Sequence, residues 1–473
     1  MSDSEALMLS VSGCRGIVGS TLTPEVVSRF AAAFATWLRS RRPAHAPVRV
    51  VVGRDGRLGG QWVRDAAVAG LAAAGCDVID LGVAMTATVG VMADELDAAG
   101  GMVVTASHNP QQWNGLKCLV RDGRGPYGAV SACAPDAGSA GEIIELFRAG
   151  RVNWVPPERV GSVRVETGSA GRHAEKVLAA LTELMPLERI TNRSFVVVVD
   201  SVNASGVEGA GLLLRRLGCQ IVHLNADRSG VFPHAPEPIA ENLGSLAAAV
   251  AADVVHAGFA QDPDADRLAL VDDRGVFIGE EYTLALAAWA LLGSVNAANH
   301  SLAANLSTSR MVDDVAARSG SRVLRTPVGE ANVVAAMRRE SCVLGGEGNG
   351  GVIWPRVTLV RDSLSAMALT LALLTREGRP LSDLVSSVPS YAIEKRKVPV
   401  KPGLAERAID ALARRYADQR VDRQDGVRID FPARSAWVHV RASNTEPIVR
   451  LIAEAPTAAV ASTLLDEVRS CVE

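Results

Sequence analysis

The chain has 473 residues, 48% of them hydrophobic, enough for three or four domains with separate buried cores. Its formal charge is −3 and its isoelectric point about 6.3, so no overall basic field holds nucleic acid or an anionic membrane, and anionic ligands must be bound locally. Seven cysteines stand singly, with no CxxC pair and an odd total, which argues for reduced thiols and against a disulfide framework or zinc site.

From the amino end, Met1 to Glu5 is acidic and lacks the basic and apolar regions of a signal peptide. A strand is predicted over Val48 to Gly53, a helix over Gln61 to Ala74, and strands over Asp77 to Gly82 and Gly101 to Ala106. The rhythm recurs as strand Phe195 to Asp200, helix Gly206 to Leu217, strand Gln220 to Leu224, helix Leu243 to Ala252 and strand Val254 to Phe259. It returns a third time as helix Tyr282 to Leu292, strand Ser301 to Leu306, helix Met311 to Ser319, strand Arg322 to Arg325, helix Ala331 to Glu340 and strand Cys342 to Gly345. The longest apolar run, Thr283 to Val295, is shorter than the ~20 residues of a membrane helix and reads as a buried one. The expectation is a soluble, cytoplasmic protein.

The last eighty or so residues differ: helix Gly403 to Tyr416, strands Gly426 to Phe431, Ala436 to Ala442 and Pro447 to Glu454, and a closing helix from Ala458. The fold class expected is therefore α/β, three similar α/β units in series followed by an α+β unit. Candidate linkers are Val155 to Arg164, the turn Asp272 to Gly275, and Val388 to Pro402. They divide the chain at 1–160, 161–274, 275–388 and 389–473.

Four loops carry chemistry. Thr105-Ala106-Ser107-His108-Asn109-Pro110 follows a strand, so Ser107 sits at a strand's carboxyl end, where α/β sheets place ligands. His108 is adjacent, and Lys117 lies ten residues on, either able to activate the hydroxyl. The alternative is an ordinary Asn-Pro turn. Asp262-Pro263-Asp264-Ala265-Asp266-Arg267 sets three carboxylates at alternating positions, a set of hard oxygen ligands suited to Mg²⁺. An EF-hand is excluded, because Arg267 stands where that loop needs glycine and Asp273 where it needs glutamate. The aspartyl-phosphate nucleophile of a dehalogenase-type phosphatase fits poorly, because Asp266 takes the Thr/Val position. A solvated acidic turn is the plain alternative, with Arg267 relieving the repulsion.

Gly345 to Gly351 packs five glycines around Glu347 and Asn349, which leaves an acid and an amide to bind hydroxyls on a closely approaching backbone. A glycine-rich hairpin accounts for it equally well. Arg441-Ala442-Ser443-Asn444-Thr445-Glu446-Pro447, with Arg450 beyond, forms an anion cradle without a base, or else a β-turn with a solvated arginine.

In this order the four loops resemble the α-D-phosphohexomutase superfamily over essentially the whole chain. Ser12 to Gly19 is similar to its N-terminal catalytic arginine segment, and Val52 to Arg57 matches a further motif. The resemblance implies four domains around a cleft, with Ser107 phosphorylated in the active enzyme. It implies Mg²⁺ on Asp262, Asp264, Asp266 and a phosphate oxygen at Ser107. Arg15, Lys117 and His108 would take catalytic roles, and Glu347, Asn349 and Arg267 would bind the sugar phosphate. Arg441, Ser443, Asn444, Thr445 and Arg450 would hold its existing phosphate. The sugar loop departs from the common bacterial GExSGH, since Asn349 replaces the serine and Gly351 the histidine. The loop and the N-terminal segment look most like archaeal-type phosphoglucosamine mutases.

The expected reaction interconverts glucosamine 6-phosphate and glucosamine 1-phosphate through phospho-Ser107 and a glucosamine or glucose bisphosphate. A phosphoglucomutase/phosphomannomutase is the alternative, and a phosphatase or a non-catalytic sugar-phosphate-binding protein the remoter ones. The expected partner is a phosphosugar, with no nucleic acid or membrane, and the chain is a monomer or homodimer.

Overall fold

The computed structural model of the chain describes residues 7–43, 46–294, 300–400, 404–442, 448–469 and 471. Its strands form four sheets. The first contains β1 (Met8–Ser10), β2 (Gly13–Ile17), β3 (Arg49–Arg54), β4 (Asp77–Val83), β5 (Gly100–Val104), β6 (Trp113–Val120) and β7 (Val163–Val165), in the order β1-β2-β6-β5-β3-β4-β7. The second contains β8 (Val196–Asp200), β9 (Gln220–Leu224), β10 (Ala257–Gln261) and β11 (Leu268–Val271). The third contains β12 (Ser301–Asn305), β13 (Arg322–Thr326), β14 (Leu344–Glu347) and β15 (Gly351–Ile353). The fourth is antiparallel throughout: β16 (Ala392–Pro399), β17 (Arg420–Asp422), β18 (Val427–Phe431), β19 (Ala436–Ala442) and β20 (Ile448–Ala455).

The first three sheets share one kernel. In each, a central strand pairs in parallel with the next strand in sequence on one side and the third on the other, and the fourth closes antiparallel on the third. The sets are β4-β3-β5-β6, β9-β8-β10-β11 and β13-β12-β14-β15. The third-to-fourth hairpins hold Ser107, the three aspartates and the Gly348 to Gly350 turn respectively. Three of the four expected functional loops thus occupy one equivalent place in a repeated topology. Each contains a left-handed residue, with φ of +50° at Ser107, +51° at Ala265 and +83° at Gly350.

The interior strands are almost uniformly apolar because helices cover both faces; Val197 to Val199 are 0–1% exposed. Helix Ser363–Glu377 is capped by Asp362, whose carboxylate accepts from Leu364 N and Ser365 N, and it ends at the left-handed Gly378. It is buried nearly all round, packed on helices Glu281–Leu292 and Ser169–Thr182, and one hydrophobic cluster runs through the second and third units. Helix Pro24–Ser40, with Thr23 as N-cap and proline in its first turn, belongs to the first unit; the periodicity reading does not contain it.

Two expected linkers are structured. Val163–Val165 joins the first sheet beside β4, and most of Val388 to Pro402 is β16, an edge strand of the fourth sheet. β16 holds four consecutive charged residues, Glu394 to Lys397, and the sheet pairing outweighs its lysine and arginine content. Among the described residues, only Val388 to Tyr391 and Val400 of this expected linker lie outside the strand. The strand expected over Val254 to Phe259 begins at Ala257, since Val254 is exposed.

The core of the last unit is drawn wholly from its own residues, among them Leu412, Val438, Leu451 and Leu464. It meets the third unit through polar contacts: Arg428 donates to Leu306 O at 2.5 Å, Arg310 N to Glu454 Oε1 at 3.0 Å, and Val328 N to Asp425 Oδ2 at 3.0 Å. A seam of hydrogen bonds with little shared apolar surface is the kind that domain motion opens.

Candidate active site

Ser107 is 2% exposed, and its Oγ donates to Asp262 Oδ2 at 2.9 Å. Its left-handed backbone is held from both sides: Ser107 N donates to Thr105 Oγ1 at 2.8 Å, and the buried Arg57 guanidinium donates to Ser107 O. Arg57 also pairs with Asp55 at 2.8 Å, and Thr105 Oγ1 donates to the same Asp55 oxygen at 2.6 Å. The segment Val52 to Arg57 therefore sets the serine's attitude, which is what stored strain at a functional loop requires.

Lys117 reaches the site from β6, where it pairs with Val103 of β5. The hairpin that holds Ser107 turns the chain back and brings this lysine alongside β5. Its ammonium donates to Asp264 Oδ2 at 3.1 Å and Asp266 Oδ2 at 2.7 Å. Burial alone would lower the lysine's pKa, but Asp264 and Asp266 outweigh it and hold the ammonium charged.

The three aspartates are fully buried, with one oxygen from each lying within 4.8 Å of the others. Three units clamp their loop. Thr86 donates from Oγ1 to Asp264 Oδ2 at 2.5 Å and from N to Asp264 O, Ser205 Oγ donates to Pro263 O at 2.7 Å, and Ser363 Oγ to Ala265 O at 2.7 Å. Burial and its two neighbours push Asp262 well above the usual carboxylate range. Burial would also raise Asp264 and Asp266, but Lys117 and the Thr86 hydroxyl hold the first down, and Arg361 and Lys117 the second. Asp264 Oδ1 and Asp266 Oδ1 are buried without a hydrogen-bond partner among the described residues. Unpaired buried carboxylate oxygens beside a third carboxyl whose charged form is disfavoured by burial and by its neighbours fit a hard divalent cation, which supplies the missing positive charge.

Arg361 is the principal connector that the sequence reading does not contain. It donates to Asp266 Oδ2 at 2.6 Å and Glu347 Oε2 at 2.9 Å, and its Nε lies 3.2 Å from Glu330 Oε2. An isolated arginine after Thr358 to Val360 carries no local pattern, so only the fold reveals it.

Glu347 ends β14, with Oε1 accepting from Asn305 Nδ2 at 2.8 Å. Asn349 turns its Oδ1 to Gly351 N at 3.2 Å, so part of its polar capacity is spent within the hairpin. The hairpin reading of this loop is met. Arg15 Nη1 donates to Asn109 Oδ1 at 3.3 Å, and burial lowers its pKa while Asp264 and Asp266 oppose that. Arg267 N donates to Asp262 Oδ1 at 3.1 Å, and its buried Nε has no hydrogen-bond partner among the described residues.

Glu347 and Asn349 border a cleft of about 730 Å³ whose walls also include His108, Glu237, Glu281, Asn305, Lys395, Lys397, Arg441 and Arg450. His108 Nδ1 lies 3.4 Å from Ser107 Oγ, and burial together with Arg267 and Arg15 pushes its pKa down to about 3, leaving the ring neutral. Lys397, Arg450 and Arg441 stand opposite one another on β16, β20 and β19, a row of cations across three strands. Arg441 Nε is 3.4 Å from Asp425 Oδ2. Ser443, Asn444 and Thr445 lie outside the described residues.

Residues 7–129 match the phosphoglucomutase/phosphomannomutase α/β/α domain I family, residues 175–275 domain II, 279–391 domain III, and 395–470 the C-terminal domain. A phosphoglucomutase/phosphomannomutase of Thermococcus kodakarensis is 36% identical over 94% of this chain and 93% of its own. A protein of Methanopyrus kandleri named probable phosphoglucosamine mutase is 36% identical over 98% of each. A crystal structure of a phosphoglucomutase/phosphomannomutase family protein from Burkholderia thailandensis superposes with a TM-score of 0.80 at 27% identity, covering 100% of this chain and 97% of that one.

Proposed function

Because this chain belongs to the phosphoglucomutase/phosphomannomutase family and is a mutase of phosphorylated sugars, we propose that it interconverts glucosamine 6-phosphate and glucosamine 1-phosphate through phospho-Ser107. The observation that carries the chemistry is the Ser107 hydroxyl at 2.9 Å from Asp262, next to His108 of a cleft whose walls also carry a row of cations.

In the forward direction the C1 hydroxyl of glucosamine 6-phosphate attacks phosphorus on phospho-Ser107. The O1–P bond forms, the Ser107 Oγ–P bond breaks, and the hydroxyl proton leaves to a base. His108 is the base we assign, since it borders the cleft next to Ser107 and is held neutral. A phosphoryl group on Ser107 would raise the ring's proton affinity towards the working pH. Lys117, pinned between two carboxylates, keeps its proton and serves as a fixed positive charge. When bound by Asp262, Asp264, Asp266 and a phosphoryl oxygen at Ser107, Mg²⁺ supplies charge neutralisation for the transferred group.

The bisphosphate then turns over, with the Lys397, Arg450 and Arg441 row and the segment from Ser443 to Thr445 holding whichever phosphate is not reacting. Ser107 Oγ takes the phosphoryl group from O6, the proton returns to O6, and glucosamine 1-phosphate leaves. The fourth unit, 389–473, acts as the lid of this cleft, and the other units span 1–160, 161–274 and 275–388.

A second reading, hexose phosphates as substrates, is favoured by the name of the Thermococcus kodakarensis relative. The test supplies Mg²⁺ and a hexose bisphosphate and measures turnover of glucosamine, glucose and mannose phosphates in parallel. Turnover of glucose or mannose phosphate without any of glucosamine phosphate would overturn the substrate assignment.

A further inference from the structure

Glu281 opens helix Glu281–Leu292 and contributes its carboxylate to the wall of the cleft beside Gly348 and Asn349. Oε2 accepts from Ser309 N at 2.8 Å. The carboxylate lies so close to the hairpin that a Cβ at Gly348 would stand 2.0 Å from Oε1 and 2.1 Å from Oε2. Any side chain at 348 would drive it away, so this glycine serves to let an acid from another element meet the sugar loop.

Three acids border the cleft; Glu237 is solvated, with 44% of its side chain exposed, and the electrostatics separate the other two, Glu281 and Glu347. Glu347 is neutralised by Arg361, which also pairs with Glu330. Glu281 has no ion-pair partner among the described residues. Burial pushes its carboxyl up to about 8, Glu454 and Glu280 add to the rise, and Lys395 opposes it. A carboxyl placed in a cleft without a cation of its own costs stability unless a ligand brings the cation. The phosphate-facing row, Lys397, Arg450 and Arg441, supplies the opposite charge on another wall. The cleft therefore suits a zwitterion: a phosphate at one end and a positively charged group at the sugar loop. A hexosamine phosphate has that form through its C2 ammonium, and a hexose phosphate, with a hydroxyl at C2, does not.

We propose that Glu281 is the specificity-determining residue that selects a hexosamine phosphate by pairing its carboxylate with the C2 ammonium. The inference rests on the substrate reading above and assigns the group that enforces it. Selection by a charge pair in a cleft is strong, because the analogue without the ammonium leaves the carboxylate unpaired.

The experiment compares wild type and Glu281→Gln, each loaded with Mg²⁺ and primed with glucose 1,6-bisphosphate, on glucosamine 6-phosphate and glucose 6-phosphate. The expected result is a fall of at least tenfold in the ratio of kcat/KM for glucosamine over glucose phosphate, carried mainly by KM. Glutamine retains an oxygen for Ser309 N, and a matched thermal midpoint shows that the fold is intact. If the variant is unstable, calorimetric binding of the two sugar phosphates to Glu281→Asp is compared instead, with the same ratio expected to fall. An unchanged ratio, or equal losses on both sugars, overturns the proposal and leaves the substrate reading standing. Failure of the wild type to use glucosamine 6-phosphate overturns both.

Discussion

Ser107 Oγ and Asp262 Oδ2, 155 positions apart in the chain, lie 2.9 Å apart in the fold. The hydroxyl comes from the third-to-fourth hairpin of the first unit and the carboxylate from the same hairpin of the second. The topology repeats so that equivalent loops face one another, and a serine hydroxyl meets a carboxylate cage because two copies of one connection converge.

The nucleophile is directly testable. Intact mass spectrometry of the wild type incubated with glucose 1,6-bisphosphate should reveal one phosphate, and Ser107→Ala none. The variant should lose at least about 10³-fold in kcat, because removing a nucleophile abolishes the covalent route. Unchanged turnover would refute the assignment.

The aspartate cage should bind one divalent cation. Calorimetric titration of the metal-free protein with Mg²⁺ is expected to give a single site, and the cation should raise the thermal midpoint, since it binds only the folded state. Asp264→Asn should abolish both effects. A chelator should remove activity, with excess Mg²⁺ restoring it.

Arg361 holds Asp266, Glu330 and Glu347 together with its side chain almost wholly buried. Arg361→Met leaves those carboxylates facing one another, and the loss expected is about 3–5 kcal/mol in denaturant unfolding. A loss below about 1 kcal/mol would mean that the carboxylates find other partners.

His439 makes stability depend on pH. It is fully buried at the seam of the third and fourth units, with Nδ1 2.8 Å from Ser307 Oγ and Nε2 2.7 Å from Asp425 O. Burial lowers its pKa from 6.5 to about 4; Asp425 opposes the shift and Arg441 and Arg428 reinforce it. Between those values the unfolded chain binds a proton that the folded chain excludes, so stability falls as pH drops from about 6.5 to about 4. The loss approaches about 3 kcal/mol at the lower end. The urea midpoint of His439→Gln should decline less over that window than the wild type's.

Much of this was legible in the sequence because it is local. The motif around Ser107, the DPDADR loop and the glycine-rich hairpin are contiguous, and short β-branched runs mark the strands of a parallel sheet whatever surrounds them. Helix Pro24–Ser40 was equally legible, since Thr23 and Pro24 mark its start and Glu25, Ser28, Arg29 and Arg39 its polar face, yet the periodicity reading does not contain it. β16 lay hidden because an edge strand carries charges that read as a linker.

The sequence by itself determined the inventory: a serine, three alternating aspartates, an acid among glycines, and an arginine-led cradle, each in a loop. Only the tertiary structure decided their relations. It pinned Lys117 to Asp264 and Asp266 as a charge, left His108 neutral beside Ser107, made Arg361 the hub of three carboxylates, and set Glu281 against Gly348. These depend on distance and burial, and both are properties of the packed chain that spacing along it does not encode.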